Sequence, residues 1–287
     1  MMRSHSILSA LVFAAFCSTA SAGIVFGPVR GKAGESVRLV THSDTAGGTI
    51  SKTVAGKTST GTILITRDRD LVWTFRDPAA DGTRRGMVKV DKISTSTKTV
   101  IDGHTENLDD KSPLVGKMFA MSKSLKGDWK FELDGSVPMV RVQKEIDELK
   151  IYLNRDWYPA REVNLGESWE FDPAWIKMIV ERDFPKAQTI GTMRLRQIRH
   201  TLFGKSALIE VSIRSTGAGF HSDGSEDGGS VELTGQIVVN LQTMLDESLE
   251  LKGTITTDTR KRGDTTSTKV PVHLVARKSF VRNPAFP

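Results

Sequence analysis

The chain has 287 residues, a formal net charge of +6, 38% hydrophobic and 26% charged side chains, and a single cysteine. This is the composition of a globular protein long enough to bury a real core, and it excludes collagenous, disordered and disulfide-stapled classes. No stretch beyond the N-terminus approaches 18 consecutive apolar residues, so none reads as a membrane-spanning helix.

Residues 1–22 read as an export signal. Arg3 supplies the positive start, Ile7 to Phe16 the apolar run, and Ala20-Ser21-Ala22 the small-x-small site that places cleavage before Gly23. The apolar run is too short to cross about 30 Å of hydrocarbon as a helix. Bulky Phe16 before Cys17 argues against a lipidated cysteine. Removal of the signal takes Cys17 with it, which excludes disulfides, thiol catalysis and cysteine metal sites. None of Asn107, Asn154, Asn164, Asn240 and Asn283 is followed two positions on by Ser or Thr, so there is no glycosylation acceptor. The expected location is outside the cytoplasm of a bacterium, either periplasmic or extracellular.

After the signal, short strands are expected at Val37/Leu39, Ile63/Ile65, Leu71/Trp73/Phe75, Val88/Val90 and Trp129/Phe131/Leu133, with turn chemistry at Asp77-Pro78 and Asp81-Gly82. Val142, Ile146, Leu149 and Leu153 then recur at helical spacing and predict an amphipathic helix over about 138–153. A shorter helix is a second option after Asp172-Pro173, where a buried strand would fit as well. Thr192–Phe203 and Ala207–Arg214 form a hairpin around Gly204-Lys205. From Val231 the alternation is cleanest: Val231, Leu233, Ile237, Val239 and Leu241 share a phase that Gly235 preserves. Leu249, Leu251 and Ile255 follow, and Val270, Val272, Leu274 and Ala276 mark the last strand. The expected fold is therefore mainly β: large curved antiparallel sheets or a half-barrel of meander hairpins, with one helix packed on a sheet face. A transmembrane barrel would need aromatic girdles, and two tyrosines in the chain argue against them.

The expected organisation is a cleaved signal (1–22), an N-terminal β-rich half carrying the helix (23–155) and a C-terminal β-meander half (156–287), together one compact unit. Gly34-Glu35-Ser36 matches Gly166-Glu167-Ser168, Leu114-Val115-Gly116 matches Leu233-Thr234-Gly235, and Leu125-Lys126-Gly127 matches Leu251-Lys252-Gly253. The order is kept but the offsets differ, which leaves an internal duplication open. Val163-x-Leu165-Gly166-Glu167-Ser168-Trp169, followed by glycine-punctuated hairpins, resembles a loose group of uncharacterised exported bacterial β-proteins. The resemblance implies a non-enzymatic role and brings no catalytic residues with it.

No nucleophile elbow or His-Glu-x-x-His helix is present. Gly56-Lys57-Thr58 and Gly204-Lys205-Ser206 lack the earlier glycine of a phosphate loop and read as hairpin turns. His42, His104, His200, His221 and His273 are scattered, so a hydrolase would have to assemble a non-local Asp/Glu/His site. Asp223, Ser225 and Asp227, with Gly228, echo the start of a calcium loop, but Thr234 stands where its bidentate Glu belongs, and a solvated hairpin loop explains them equally. Arg194 and Arg196 share an outward strand face able to meet an anionic headgroup. With aromatics at 7%, nucleic acid is not an expected partner. The leading expectation is a non-catalytic envelope protein, binding or structural, whose partner is another envelope protein or a lipid-like hydrophobe. Trp129, Phe131, Val142, Ile146 and Leu149 would line the apolar site, with Arg194 and Arg196 at its mouth. No cofactor is called for.

Overall fold

Runs of β-branched residues dominate this chain and are at home on a pleated surface. In the computed structural model they form strands far longer than the short apolar alternations suggest. The structure describes residues 23–124, 129–133, 142, 143, 145, 146, 157–170, 188–201, 204–220 and 225–281.

The described strands are β1 (Ile24–Val25), β2 (Ser36–Asp44), β3 (Gly48–Val54), β4 (Lys57–Arg76), β5 (Arg84–Ile101), β6 (His104–Lys111), β7 (Met118–Lys123), β8 (Trp129–Leu133), β9 (Glu162–Val163), β10 (Ser168–Glu170), β11 (Gln188–Thr201), β12 (Gly204–Phe220), β13 (Glu226–Asn240), β14 (Leu245–Lys261) and β15 (Asp264–Val281). Thirteen of them make one antiparallel sheet in the order β10-β11-β12-β13-β14-β15-β2-β4-β5-β7-β8. Strand β3 continues the slot of β2 between β15 and β4, and β6 lies on β5 beyond β7. Strands β1 and β9 form a separate pair. The middle of the sheet thus joins the last strand of the chain to one of the first, along His273–Val281 against Ser36–Asp44.

One face carries the core. Its buried side chains include Leu39, Leu71, Val90, Phe119, Met193, Leu195, Ile209, Ile213, Leu233, Ile237 and Leu251, which form one cluster drawn from both halves of the chain. Alternation keeps this phase until an extra residue intervenes. Between β4 and β5 the register slips beside Asp91, so the core phase passes from Val88 and Val90 to Ile93. Such a bulge exchanges the two faces of a strand from that point on.

Gly235 and Gly253 sit diagonally across the β13–β14 pair, each in the core-facing phase. A Cβ on Gly235 would lie 1.8 Å from the Glu250 carbonyl oxygen, and one on Gly253 1.8 Å from that of Glu232. Only glycine permits this approach of two backbones.

Two expectations need adjustment. The separate strands at Ile63/Ile65 and Leu71/Trp73/Phe75 are one 20-residue strand, β4. The helix expected over 138–153 lies mostly outside the described residues. Val142, Gln143, Glu145 and Ile146 alone are described, each in helical conformation. Four residues do not make the helix. Val142 and Ile146 are buried in the main cluster, and the Ser112 hydroxyl donates to Glu145. The segment after Asp172-Pro173, and Leu149 and Leu153, also lie outside the described residues.

Candidate functional site

Two matching turns organise the sheet ends. In the first, Gly34 (φ 84°) precedes β2. Its N–H donates to the Phe75 carbonyl at 2.8 Å, and the Phe75 N–H donates to that of Glu35 at 2.9 Å. The Glu35 carboxylate accepts the Lys32 N–H at 2.7 Å. In the second, Gly166 (φ 84°) precedes β10. Its N–H donates to the Leu195 carbonyl at 2.7 Å, and the Leu195 N–H donates to that of Glu167 at 3.0 Å. The Glu167 carboxylate accepts the Asn164 N–H at 2.9 Å, and with Arg161 this holds it below the usual carboxylate range. Of the other two sequence matches, Gly116 sits in a turn with φ 81°, whereas Gly235 lies inside β13. The third falls partly outside the described residues.

The first turn walls a cleft of about 490 Å³ lined by Ala33, Gly34, Thr74, Arg76, Arg85, Met87, Ala120, Ser122 and Glu132, among others. Register explains the arrangement. Thr74, Met87, Ala120 and Glu132 are successive cross-strand neighbours on β4, β5, β7 and β8, and Arg76, Arg85 and Ser122 form the next row. Both rows point away from the core, since Trp73, Val88 and Phe119 occupy the alternate phase. Arg76 and Arg85 stand directly opposite one another. The loop between them is fixed by its own bonds: Thr83 N–H to Asp81 at 2.9 Å, Gly82 N–H to the Ala79 carbonyl at 2.9 Å, and Arg85 Nε to the Asp77 carbonyl at 3.1 Å. Asp81 is held below its ordinary value chiefly by the Thr83 amide.

On the core face, Lys278 donates to Asp246 at 3.0 Å, with side chains 8% and 3% exposed. The Tyr158 hydroxyl donates to the same carboxylate at 3.1 Å, and the Lys278 ammonium lies 5.7 Å from the Trp157 ring centre. Phe26 stacks on Tyr158 at 4.6 Å, and Trp169 Nε1 donates to the Trp157 carbonyl at 3.0 Å. This polar knot clamps segment 157–170 onto β14 and β15. The gap beside it, about 10 Å³, leaves no room for an organic ligand.

Farther along the core face the cover thins. Ile63 and Ile65 on β4, Ile255 on β14, and Val272 and Leu274 on β15 are all half-buried. Ile255, Val272 and Leu274 pack against the buried cluster. On β4 the field ends at Arg67 and Arg69, which face Ser43 and Thr41 of β2.

Two of the histidines, His42 and His273, make cross-strand pairs on the outer face. His42 Nδ1 meets Asp68 at 2.8 Å, where Lys92 also donates at 2.7 Å. His42 first, then Lys92, holds Asp68 below its usual range. His273 Nε2 meets Glu250 at 3.1 Å beside Lys252, and Lys252 first, then His273, lowers Glu250. His104 lies on exposed β6, and His221 is outside the described residues.

Of the site residues expected from sequence, Val142 and Ile146 are in the main cluster. Phe131 packs against both clusters and Trp129 against the smaller one. Arg194 and Arg196 lie on the opposite face from these. Arg194 Nε donates to the Gly166 carbonyl at 3.0 Å, and Arg196 pairs with Glu210 at 3.2 Å. Asp223 is not described, Ser225 is buried, and Asp227 and Gly228 lie within β13, paired to Gly219 and Ala218 and not at a bend. Among the described residues no group of three metal-ligating side chains could hold an ion. The facing pair Arg76 and Arg85 was missed. The signal was an arginine on each side of the Asp77–Thr83 turn, but its meaning depends on hairpin register.

Among the described residues, no helix is long and apolar enough to cross a membrane. No family model matches the chain, and no curated protein proves similar to it.

Proposed function

We propose that this is a non-catalytic exported protein of a bacterial envelope that binds a lipid or similar hydrophobe along the core face of a curved, half-barrel sheet. The observation that carries the reading is the half-covered aliphatic set of Ile255, Val272 and Leu274, packed against the fully buried cluster, with half-buried Ile63 and Ile65 on the same face of β4. Apolar surface left in water costs roughly 25 cal/mol per Å², so an acyl chain laid on that field gains what the fold leaves unclaimed. The glycine contacts at Gly235 and Gly253 support the curvature, because backbone approach of that kind accompanies sharply coiled strands. The export signal expected over residues 1–22 supports the envelope location.

The hydrolase alternative calls for a nucleophile or activated water beside a base. The His42–Asp68 and His273–Glu250 pairs instead sit on the outer face, each carboxylate also tied to a lysine. The test is displacement of an environment-sensitive naphthylamine probe by palmitate. Val272→Asp and Ile65→Asp should each weaken binding about tenfold or more, because each puts a charge against the chain. Leu64→Asp, on the outer phase of β4, should leave it unchanged. Equal binding by all three variants would refute the assignment to this face.

A further inference from the structure

We propose that the cleft at the end of the β4–β5 hairpin is a binding site for a phosphate group, held between Arg76 and Arg85 with Ser122 as a third donor. This site lies on the face opposite the core and does not depend on the hydrophobe-binding reading.

Arg76 and Arg85 are directly opposed cross-strand residues. Such pairs have Cβ atoms about 4.5–5.5 Å apart, and like charges in that position destabilise a sheet. The ordinary remedy is a carboxylate. Asp77 and Glu132 line the same cleft, yet neither forms an ion pair with either arginine, and Asp81, which feels the Arg85 charge, forms none either. Arg85 spends only its Nε, on the Asp77 carbonyl, which orients the guanidinium and leaves both terminal nitrogens of the fork available. Ser122 is the next cross-strand neighbour of Arg85 and adds a hydroxyl, and Lys130 follows it in the same row. Two forks and a hydroxyl match the several oxygens of a phosphate.

The walls are built before any ligand arrives. The Gly34–Phe75 bonds fix one side, and the bond from Arg85 Nε to the Asp77 carbonyl fixes the other. A volume of about 490 Å³ exceeds what phosphate alone fills. The remainder, over Met87, Ala120 and Thr74, accepts the organic body of a phosphomonoester or phosphodiester. The equivalent turn in the second half supplies an internal contrast. There the residue after Leu195 is Arg196, as Arg76 follows Phe75, but Arg196 is neutralised by Glu210.

Isothermal titration of the full mature protein with glycerol phosphate, and co-sedimentation with phosphatidylglycerol vesicles, separates a free phosphoester from a lipid headgroup. Binding in either format should fall about tenfold or more in Arg76→Gln and in Arg85→Gln, the loss of one charge-assisted bond pair. Arg196→Gln should bind as the parent does. Arg76→Gln should unfold at the parent temperature or above it, since it relieves the opposed charges and leaves the Arg85–Asp77 bond in place, and this separates loss of binding from loss of fold. No binding in either format, or equal binding by parent and cleft variants, would overturn the proposal.

Discussion

The two Gly-Glu-Ser turns share their hydrogen bonds and the same positive φ, yet the arginines that follow them meet opposite fates. Arg196 finds Glu210 across the strand at 3.2 Å, whereas Arg76 finds Arg85. A fold selected only for stability would treat the two sites alike. The difference teaches that one backbone turn supports two side-chain solutions: the arginine after the second turn pairs with a glutamate, and the arginine after the first faces another arginine. The Lys278–Asp246 knot marks the far end of that scale, a charge wholly satisfied by its own chain.

That contrast is most severely tested at the knot. Lys278→Met should cost about 3–5 kcal/mol, because it leaves the Asp246 carboxylate buried and uncompensated. Pairing it with Asp246→Leu should recover much of the loss. Chemical denaturation of the three variants measures both effects, and a loss below 1 kcal/mol in the single variant would mean the pair is open to water.

The turns themselves should respond equally. Gly34→Ala and Gly166→Ala each force an L-residue into the left-handed region, at about 1–2 kcal/mol. Nothing crowds either Cβ: the first meets nothing within 4 Å, and the second only an Arg194 nitrogen at 3.9 Å. Unfolding free energies differing by more than the cost itself would show the turns to be only superficially alike.

Smaller still is the effect of the arginines. Arg196→Gln should lose about 0.2–1 kcal/mol, typical of an exposed pair, and Arg76→Gln should lose nothing or gain slightly. Opposite signs in side-by-side thermal melts sharpen the comparison; equal losses would break it.

The least effect is the pH dependence of the second turn. Glu167 has a depressed pKa in the folded protein, so its contribution is complete above the unfolded value near 4.3 and fades as pH falls through the lower folded value. Glu167→Gln should therefore be less stable than the parent above the unfolded value and converge with it as pH falls through the lower folded value. A constant gap across that window would assign the turn's stability to something other than this carboxylate.

Much of the sheet was legible. Val231, Leu233, Ile237, Val239, Leu249 and Leu251 alternate in sequence and are buried together. The outer reaches of the same strands were not, because Thr257–Thr259 and Thr266–Thr268 pair across β14 and β15 with no apolar alternation to betray them. Bulges hid more: the slip at Asp91 moves the core phase from Val90 to Ile93, and a second slip follows Leu195. Cross-strand chemistry was least legible. His42 and Asp68, or Arg76 and Arg85, become partners only when register is known, and sequence spacing carries no such information.

The central claim, that the thinly covered core face holds a hydrophobe, is tested most directly by native mass spectrometry of the mature protein isolated from a bacterial envelope. The account predicts a species heavier than the polypeptide by the mass of a lipid, lost on solvent extraction and absent from the Val272→Asp variant. A spectrum of bare polypeptide, with no lipid in the extract, would contradict it.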